Sequence, residues 1–168
     1  MKEIANAEIK RVRSLQEKKF RDSLGLFVVE GDKMVSEALG SGLEVVDVYR
    51  RDEVGEKTME RMSGLASTPP SIAVVRMPSM PAPEILEGLF LALDSVRDPG
   101  NFGTILRIAD WFGAGAVFAS PDCVDLYNPK VIQASMGAIF RKNVLYTPLP
   151  GLCAEFRKAG RQVFGTFL

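Results

Sequence analysis

The second half of the chain alternates short apolar segments with amphipathic segments at a regular spacing, and this alternation restricts the fold more than any other feature. Strands that alternate with helices in this way form a parallel sheet covered by helices. The predicted strands are Leu89–Asp94, Ala116–Ala119, Asn143–Thr147 and Gln162–Phe167, and the predicted helices are Gly103–Phe112, Pro129–Phe140 and Leu152–Ala159. Because parallel sheets bind ligands beyond the carboxyl ends of their strands, we expect an α/β fold with its functional site at that edge.

The first half predicts a smaller α/β unit that precedes this sheet. Its predicted elements are a helix over residues 3–20, the strands Leu24–Glu30, Leu43–Tyr49 and Ser71–Val75, and the helix Asp32–Leu39. Five of the ten prolines lie between Pro69 and Pro83, and proline-rich segments often act as spacers. The sequence therefore predicts two domains, residues 1–77 and 88–168, joined by a proline-rich linker over residues 78–87.

Composition excludes several classes of protein. The 168 residues contain no histidine, which removes histidine-based catalysis and histidine metal sites, and no metal is expected. The two cysteines, Cys123 and Cys153, have neither metal-ligand nor disulfide-framework spacing, so we expect a protein of the reducing cytoplasm. No apolar run approaches the ~18 residues of a membrane-spanning helix, so no membrane partner is expected.

The net charge of zero hides an uneven distribution. Residues 1–21 carry seven basic and three acidic side chains, and residues 129–168 carry six basic and one acidic. Basic ends of this kind can present positive patches to a polyanion, although a solvated helix face has the same composition. The charge pattern therefore permits a nucleic-acid partner without requiring one.

The segment Asp94–Arg107 carries most of the chemical information. It runs from the end of a predicted strand through a loop into a helix, where Asn101 is placed to act as the N-cap. Arg107 follows Gly103 by one turn, so a permanently charged guanidinium lies near a helix N-terminus, an arrangement that favours phosphate. Taken singly, Asn101 is also typical of an ordinary cap, and Arg107 of an ion pair with Asp110.

This segment also carries a resemblance. The spacing D-x-V-x-D-P-x-N-x-G-x-I-x-R-x-A over Asp94–Ala109 resembles motif 1 of the SpoU (TrmH) family of RNA ribose methyltransferases in the SPOUT superfamily. Ser135–Phe140 is similar to the helix after the family's second strand, and Phe27–Gly31 with Lys19–Arg21 resembles an RNA-recruiting domain of L30e-like fold. The resemblance implies a small L30e-like α/β domain followed by a parallel-sheet SPOUT domain of the α/β knot type.

The resemblance implies a homodimeric enzyme that transfers a methyl group from S-adenosylmethionine to a ribose 2′-hydroxyl of ribosomal or transfer RNA. Asn101 and Arg107 correspond to the catalytic asparagine and arginine of the family. The arginine would either accept the hydroxyl proton or clamp the neighbouring phosphate and stabilise the developing alkoxide. The second role is physically easier, because a free guanidinium loses its proton only above about pH 12.

Further site residues follow from the same comparison and from the positions of charge. The expected RNA contacts are Lys18, Lys19, Arg21, Glu30 and Lys33 in the first half, and Arg97, Lys130 and Arg141 in the second. Glu30 is equally typical of a structural carboxylate at the end of a strand. Thr166, at the end of the last predicted strand, is the candidate for the rim of the cofactor site.

Two further motifs of the family, an acidic glycine-rich turn and a serine–leucine–asparagine segment, do not occur in the sequence. We expect either that the natural protein continues past Leu168 or that the chain is a shortened version, truncated before the knot. Two alternatives remain open: a non-catalytic RNA-binding relative, and a base methyltransferase of the same fold. Binding of S-adenosylmethionine tests the first alternative, and the identity of the methylated nucleoside tests the second.

Overall fold

The computed structural model describes residues 2–79 and 87–166, which form two three-stranded sheets and their helices. In the first half these are α1 (Asn6–Ser14), α2 (Lys18–Leu24), β1 (Leu26–Glu30), α3 (Asp32–Leu39), β2 (Val45–Arg50), α4 (Arg51–Val54), α5 (Glu56–Met62) and β3 (Ser71–Arg76). In the second half they are β4 (Phe90–Leu93), α6 (Pro99–Trp111), β5 (Ala116–Ala119), α7 (Pro129–Ser135), a 3₁₀ turn (Ala138–Phe140), β6 (Val144–Tyr146) and α8 (Leu149–Lys158).

The second sheet is parallel, with strand order β4–β5–β6, and it confirms the α/β class. Phe90 pairs with Ala116 and Val117 pairs with Val144, so the three strands run in register. Helix α6 connects β4 to β5, and α7 lies on the connection from β5 to β6. The carboxyl ends of the three strands therefore meet at one edge, which we call the carboxyl edge.

The first sheet is antiparallel, with β3 between β1 and β2, and β1 is buried on both faces. Its side chains alternate in the period of a strand: Phe27 and Val29 belong to one apolar cluster, Leu26 and Val28 to another. The first cluster also contains residues of α6 and α7, and the rings of Phe27 and Tyr127 stack at 4.6 Å. The two halves therefore share part of their core.

The predicted helix over residues 3–20 is broken into α1 and α2, because the backbone is extended at Glu17 (φ −100°, ψ 132°). The break brings the Arg21 guanidinium to the carbonyl oxygens of Leu15 and Gln16, at 2.9 and 2.8 Å. These carbonyls belong to the C-cap residue of α1 and to the residue after it, and the arginine supplies hydrogen-bond donors to both. The apolar spacing continues across the break, which is why periodicity does not detect it.

Helices α4 and α5 are not indicated by the sequence pattern. Their segment is rich in charge, and its apolar residues Val54, Met59 and Met62 are too sparse to show a clear period. All three side chains are nonetheless buried in the cluster on the outer face of the first sheet. Tertiary packing therefore stabilises helices whose local sequence signal is weak.

The predicted strand Gln162–Phe167 is wrong for residues 162–166, which form no strand, and Phe167 lies outside the described residues. Val163 packs against the cluster that contains Phe156 of α8, whereas Phe164 is 85% exposed. Val163 thus contacts the α8 cluster through its side chain alone, and the described part of the segment forms no backbone ladder with β4 or β6.

Most of the predicted linker, residues 80–86, lies outside the described residues, and the division into residues 1–77 and 88–168 stays a prediction. Across residues 2–79 and 87–166, no helix is long and apolar enough to cross a membrane.

Candidate functional site

Helix α6 begins at the carboxyl edge, and its N-cap is Asp98. The Asp98 carboxylate accepts a hydrogen bond from the backbone N–H of Asn101 at 2.7 Å, and Pro99 occupies the first helical position. The prediction that Asn101 caps the helix is therefore wrong, because the helix begins at Pro99 rather than at Gly103. As a result the Asn101 side chain is exposed, and it forms no hydrogen bond within the described part of the chain.

Arg107 lies on the exposed side of α6, six positions beyond Asn101. Its guanidinium forms neither a hydrogen bond nor an ion pair with any residue in the ranges 2–79 and 87–166. The alternative of a local ion pair fails, because the Asp110 carboxylate is engaged by Arg141 at 2.8 Å and by Lys142 at 3.6 Å. The positive charge of Arg107 is therefore available to a ligand.

The buried face of α6 differs from the face that apolar spacing predicts. Gly103 is buried, and a Cβ on it would lie 2.5 Å from the Cβ of Ala134 in α7, so this glycine permits close packing of two helices. The spacing of Ile105, Ile108, Ala109 and Phe112 predicts one buried face, but Ile108 and Phe112 are 47% and 69% exposed. Trp111 beside them is 85% exposed, and we call these three residues the α6 patch.

Asp122 joins the two loops that follow β4 and β5. Its carboxylate accepts hydrogen bonds from the hydroxyls of Ser95 and Ser120, both at 2.7 Å, and from the Arg97 guanidinium at 3.2 Å. These donors, the Ser95 hydroxyl foremost, hold the pKa of Asp122 well below its usual range. Ser95 has a left-handed backbone (φ 56°), and its N–H donates to the Ser120 hydroxyl at 2.8 Å. The loop that leads into α6 is thus bonded to the loop after β5.

Sequence reasoning missed both aspartates of this edge. Asp98 had a readable signal, because an aspartate directly before a proline is typical of a helix start. Asp122 had none, because its partners Ser95 and Arg97 lie 27 and 25 residues away in the sequence. Only the pairing of β4 with β5 brings these side chains together.

Five of the expected RNA contacts are exposed. These are Lys18, Lys19, Lys33, Arg97 and Lys130. Lys18 pairs with Asp22 at 2.5 Å and Lys19 with Glu17 at 3.0 Å. Ion pairs between exposed side chains are weak, so both ammonium groups remain accessible to a polyanion.

Arg21 and Glu30 depart from the expectation that they contact RNA. Arg21 is 2% exposed, and its guanidinium pairs with Asp125 of the second half at 2.7 Å, so burial withholds it from RNA. The Glu30 carboxylate accepts hydrogen bonds from Gln16 at 2.9 Å and from the Ser63 hydroxyl, which is the structural alternative for this residue. Neither residue is retained as an RNA contact.

Arg141 also departs from the expectation. It donates to Asp110 of α6 at 2.8 Å and to Glu37 of α3 at 2.7 Å, and it thereby links the two halves. Two carboxylates balance its charge, so we do not retain it as an RNA contact. A cavity of about 390 Å³ lies beside it, lined by Lys33, Ser36, Glu37, Gly40, Ser41, Phe140 and Arg141.

Thr166 is exposed and lies in no strand, so the premise that it ends a strand of the sheet does not hold. Thr166 remains a candidate for the rim of the cofactor site only because its hydroxyl is polar and its side chain is exposed.

Two family models match the chain. The model described as the SpoU rRNA Methylase family matches residues 88–168. The model described as the MRM3-like substrate binding domain matches residues 6–76.

The chain is also similar to named proteins. It is 30% identical to the 23S rRNA (guanosine(2553)-2′-O)-methyltransferase RlmP of Bacillus subtilis, over 100% of this chain and 74% of that protein. It is 30% identical to the mitochondrial rRNA methyltransferase 3 of Xenopus laevis, over 92% of this chain and 43% of the relative. The chain thus spans less than half of the second relative.

Solved structures have the same architecture. A putative RNA methyltransferase of the TrmH family from Porphyromonas gingivalis superposes with a TM-score of 0.83 at 36% identity, covering 94% of this chain and 68% of that one. The AdoMet-bound rRNA methyltransferase of Sinorhizobium meliloti superposes with a TM-score of 0.82 at 28% identity, covering 94% and 69%.

Proposed function

This chain belongs to the SpoU rRNA methylase family, and from that premise we propose that the protein transfers a methyl group from S-adenosylmethionine to a ribose 2′-hydroxyl of ribosomal RNA. The observation that carries the proposal is the guanidinium of Arg107, which is exposed and unpaired within the described residues. It lies on the helix that begins at the carboxyl edge, where parallel sheets bind their ligands.

Arg107 acts on the RNA side of the reaction. Its charge binds the phosphate next to the target ribose and stabilises the negative charge that develops on the 2′-oxygen as the hydroxyl proton passes to solvent water. A guanidinium keeps its proton up to about pH 12. Electrostatic stabilisation uses this charged form directly, whereas general-base catalysis would require the guanidinium to lose a proton first. The exposed amide of Asn101 lies near the start of the same helix. It can donate a hydrogen bond to the ribose through its NH₂ group and accept one from the ribose through its carbonyl oxygen.

S-adenosylmethionine supplies a methyl group on a sulfonium, whose transfer requires neither a metal nor a redox partner. The residues near the carboxyl edge fit this chemistry, because Asn101 and Thr104 present exposed neutral polar groups beside the Arg107 charge. A sulfonium and a guanidinium repel each other, so Arg107 belongs with the RNA, as does Asn101, and the neutral Thr104 hydroxyl belongs with the cofactor. Thr166, which is also exposed, remains the proposed rim residue.

RNA is held by exposed cations of both halves. The proposed contacts are Lys18, Lys19, Lys33, Arg97 and Lys130. Each phosphate that a cation neutralises releases counterions, so these residues make RNA binding weaken with salt. Their contribution is to affinity and register rather than to chemistry.

The protein works as a homodimer that associates through the α6 patch. Ile108, Trp111 and Phe112 expose adjacent apolar surface next to Arg107, and contiguous apolar surface is typical of an interface. A two-fold contact there brings a second copy close to each Arg107. The cytoplasm is the proposed location, in agreement with the two free cysteines.

The direct test incubates the full-length protein with ribosomal RNA and labelled S-adenosylmethionine, followed by nuclease digestion and mass spectrometry. A 2′-O-methylated nucleoside is the expected product, and a base-methylated nucleoside would overturn the ribose assignment. Calorimetry with S-adenosylmethionine gives an independent readout. Absence of a binding heat, with RNA affinity intact, would identify a non-catalytic RNA-binding protein instead.

A further inference from the structure

We propose that Arg21, in the first half of the chain, is a positioning residue for the carboxyl edge of the second half. By pairing with Asp125 it fixes the loop of residues 120–128, which in turn holds the loop of residues 94–98 that leads into α6. We call these the β5–α7 loop and the β4–α6 loop. The catalytic part of this inference rests on the proposed methyl transfer, whereas the structural coupling does not.

The first step is the burial of the Arg21 charge. The side chain is 2% exposed, and the Asp125 side chain is 18% exposed. Arg21 donates to Asp125 at 2.7 Å and to the carbonyls of Leu15 and Gln16, so one guanidinium joins the end of α1, helix α2 and the β5–α7 loop. A buried charge that loses its partner is costly, so the loop is strongly held in this place.

A second residue of the first half also contacts the β5–α7 loop. Phe27 of β1 stacks on Tyr127 at 4.6 Å with the rings inclined by 30°. Arg21 and Phe27 therefore engage positions 125 and 127, two residues apart. Two neighbouring elements of the first half, α2 and β1, thus hold the loop at Asp125 and at Tyr127.

The third step links the two loops. The backbone N–H of Val124 donates to the carbonyl of Val96 at 3.0 Å, and the N–H of Val96 donates to the Cys123 thiol at 3.3 Å. Asp122 adds the hydrogen bond from the Ser95 hydroxyl at 2.7 Å. Three consecutive residues of the β5–α7 loop thus bond to two consecutive residues of the β4–α6 loop.

The β4–α6 loop ends at Asp98, the cap of the helix that carries Asn101 and Arg107. A displacement of Asp125 is therefore transmitted through hydrogen bonds to the start of α6. Small errors in the placement of catalytic groups reduce rates steeply, so the pair acts on turnover rather than on affinity.

A second ion pair between the halves provides a matched control. Glu37 of α3 pairs with Arg141 at 2.7 Å, and both side chains are partly exposed. Arg141 also contacts Asp110 near the end of α6, and neither loop of the carboxyl edge takes part. Loss of this pair weakens the contact between the halves without loosening the two loops.

The experiment compares full-length Arg21→Met and Glu37→Gln by hydrogen–deuterium exchange and by steady-state kinetics. In Arg21→Met we expect exchange in residues 94–98 and 120–128 to accelerate about tenfold or more, because their closed state has lost its anchor. We expect kcat to fall about tenfold with RNA Kd changed by less than about twofold. In Glu37→Gln neither loop changes its exchange and kcat is retained.

Asp125→Asn is the second variant, because it leaves the bonds of Arg21 to the carbonyls of Leu15 and Gln16 intact. If Arg21→Met does not fold, the same faster loop exchange and lower kcat are expected in Asp125→Asn. The proposal is overturned if Arg21→Met and Glu37→Gln accelerate loop exchange equally, or if neither of them accelerates it. It is also overturned if Arg21→Met loses RNA affinity while kcat is retained. If the wild-type protein transfers no methyl group, the proposed function fails, and the exchange comparison still decides the coupling.

Discussion

At the scale of single residues, the chemistry of the site depends on which basic side chains form ion pairs with Asp110. Asp110 follows Arg107 by three positions, a spacing at which opposite charges pair on a helix. Arg141 and Lys142 engage its carboxylate instead, and Arg141 lies 31 positions away in the sequence. Local spacing therefore predicts a paired arginine, whereas Arg107 has no partner among residues 2–79 and 87–166.

Gly103→Ala tests the close packing of α6 on α7. The added Cβ would lie 2.5 Å from Ala134 Cβ and 2.8 Å from the Ser135 nitrogen, so the helices must separate. We expect the free energy of unfolding in urea to fall by about 1–3 kcal/mol. Thr104→Ala, on the exposed side of the same helix, is the control. Equal effects of the two substitutions would contradict the packing role of Gly103.

At the scale of elements, Asp98→Ala tests the start of α6. Loss of the carboxylate that accepts from the Asn101 N–H should lower the free energy of unfolding by about 1 kcal/mol. Asp98→Asn should retain most of the stability, because asparagine caps as well as aspartate. Asp94→Ala removes an exposed carboxylate directly after β4, outside the helix and its cap, and serves as the control. No change in Asp98→Ala, measured by guanidinium unfolding, would mean that another residue caps the helix.

The elements differ in how far the sequence predicts them. Strands β4, β5 and β6 are short apolar segments bounded by glycine, proline or charge, and each prediction overlaps the observed strand. For α3 the sequence predicts a helix that Asp32 caps and that ends at about Leu39; the helix does end at Leu39, but its N-cap is Gly31 and Asp32 is its first residue. The break between α1 and α2 is not predictable in this way, because the buried Arg21 that accompanies it acts through Asp125, 104 positions away.

At the scale of the whole molecule, the sequence predicts two units, and the structure adds a core that both share. Residues 26–29 are apolar at all four positions without alternation, which is typical of a strand covered on both faces, and all four side chains are buried. The sequence thus indicates that something covers the inner face of the first sheet. It does not indicate that Tyr127 and residues of α6 and α7 do so, because that contact depends on how the halves pack.

If the protein dimerises through the α6 patch, a charge placed in that patch should disrupt the dimer. Trp111→Glu places a charge in the proposed two-fold interface and should convert the dimer into a monomer in light scattering after size-exclusion chromatography. Phe164→Glu is the control, since Phe164 is exposed to the same 85% and lies outside the patch. A dimer that persists in Trp111→Glu would contradict association through this surface.

The measurement that tests the account most directly is the turnover of full-length Arg107→Ala on ribosomal RNA, set beside its RNA affinity. If Arg107 stabilises the developing alkoxide, kcat should fall by about 10³-fold or more while RNA Kd changes by less than about threefold. Arg157→Ala, which removes an exposed arginine from α8, should retain both values. Retained turnover with lost RNA affinity in Arg107→Ala would make this arginine a docking residue and contradict its catalytic role.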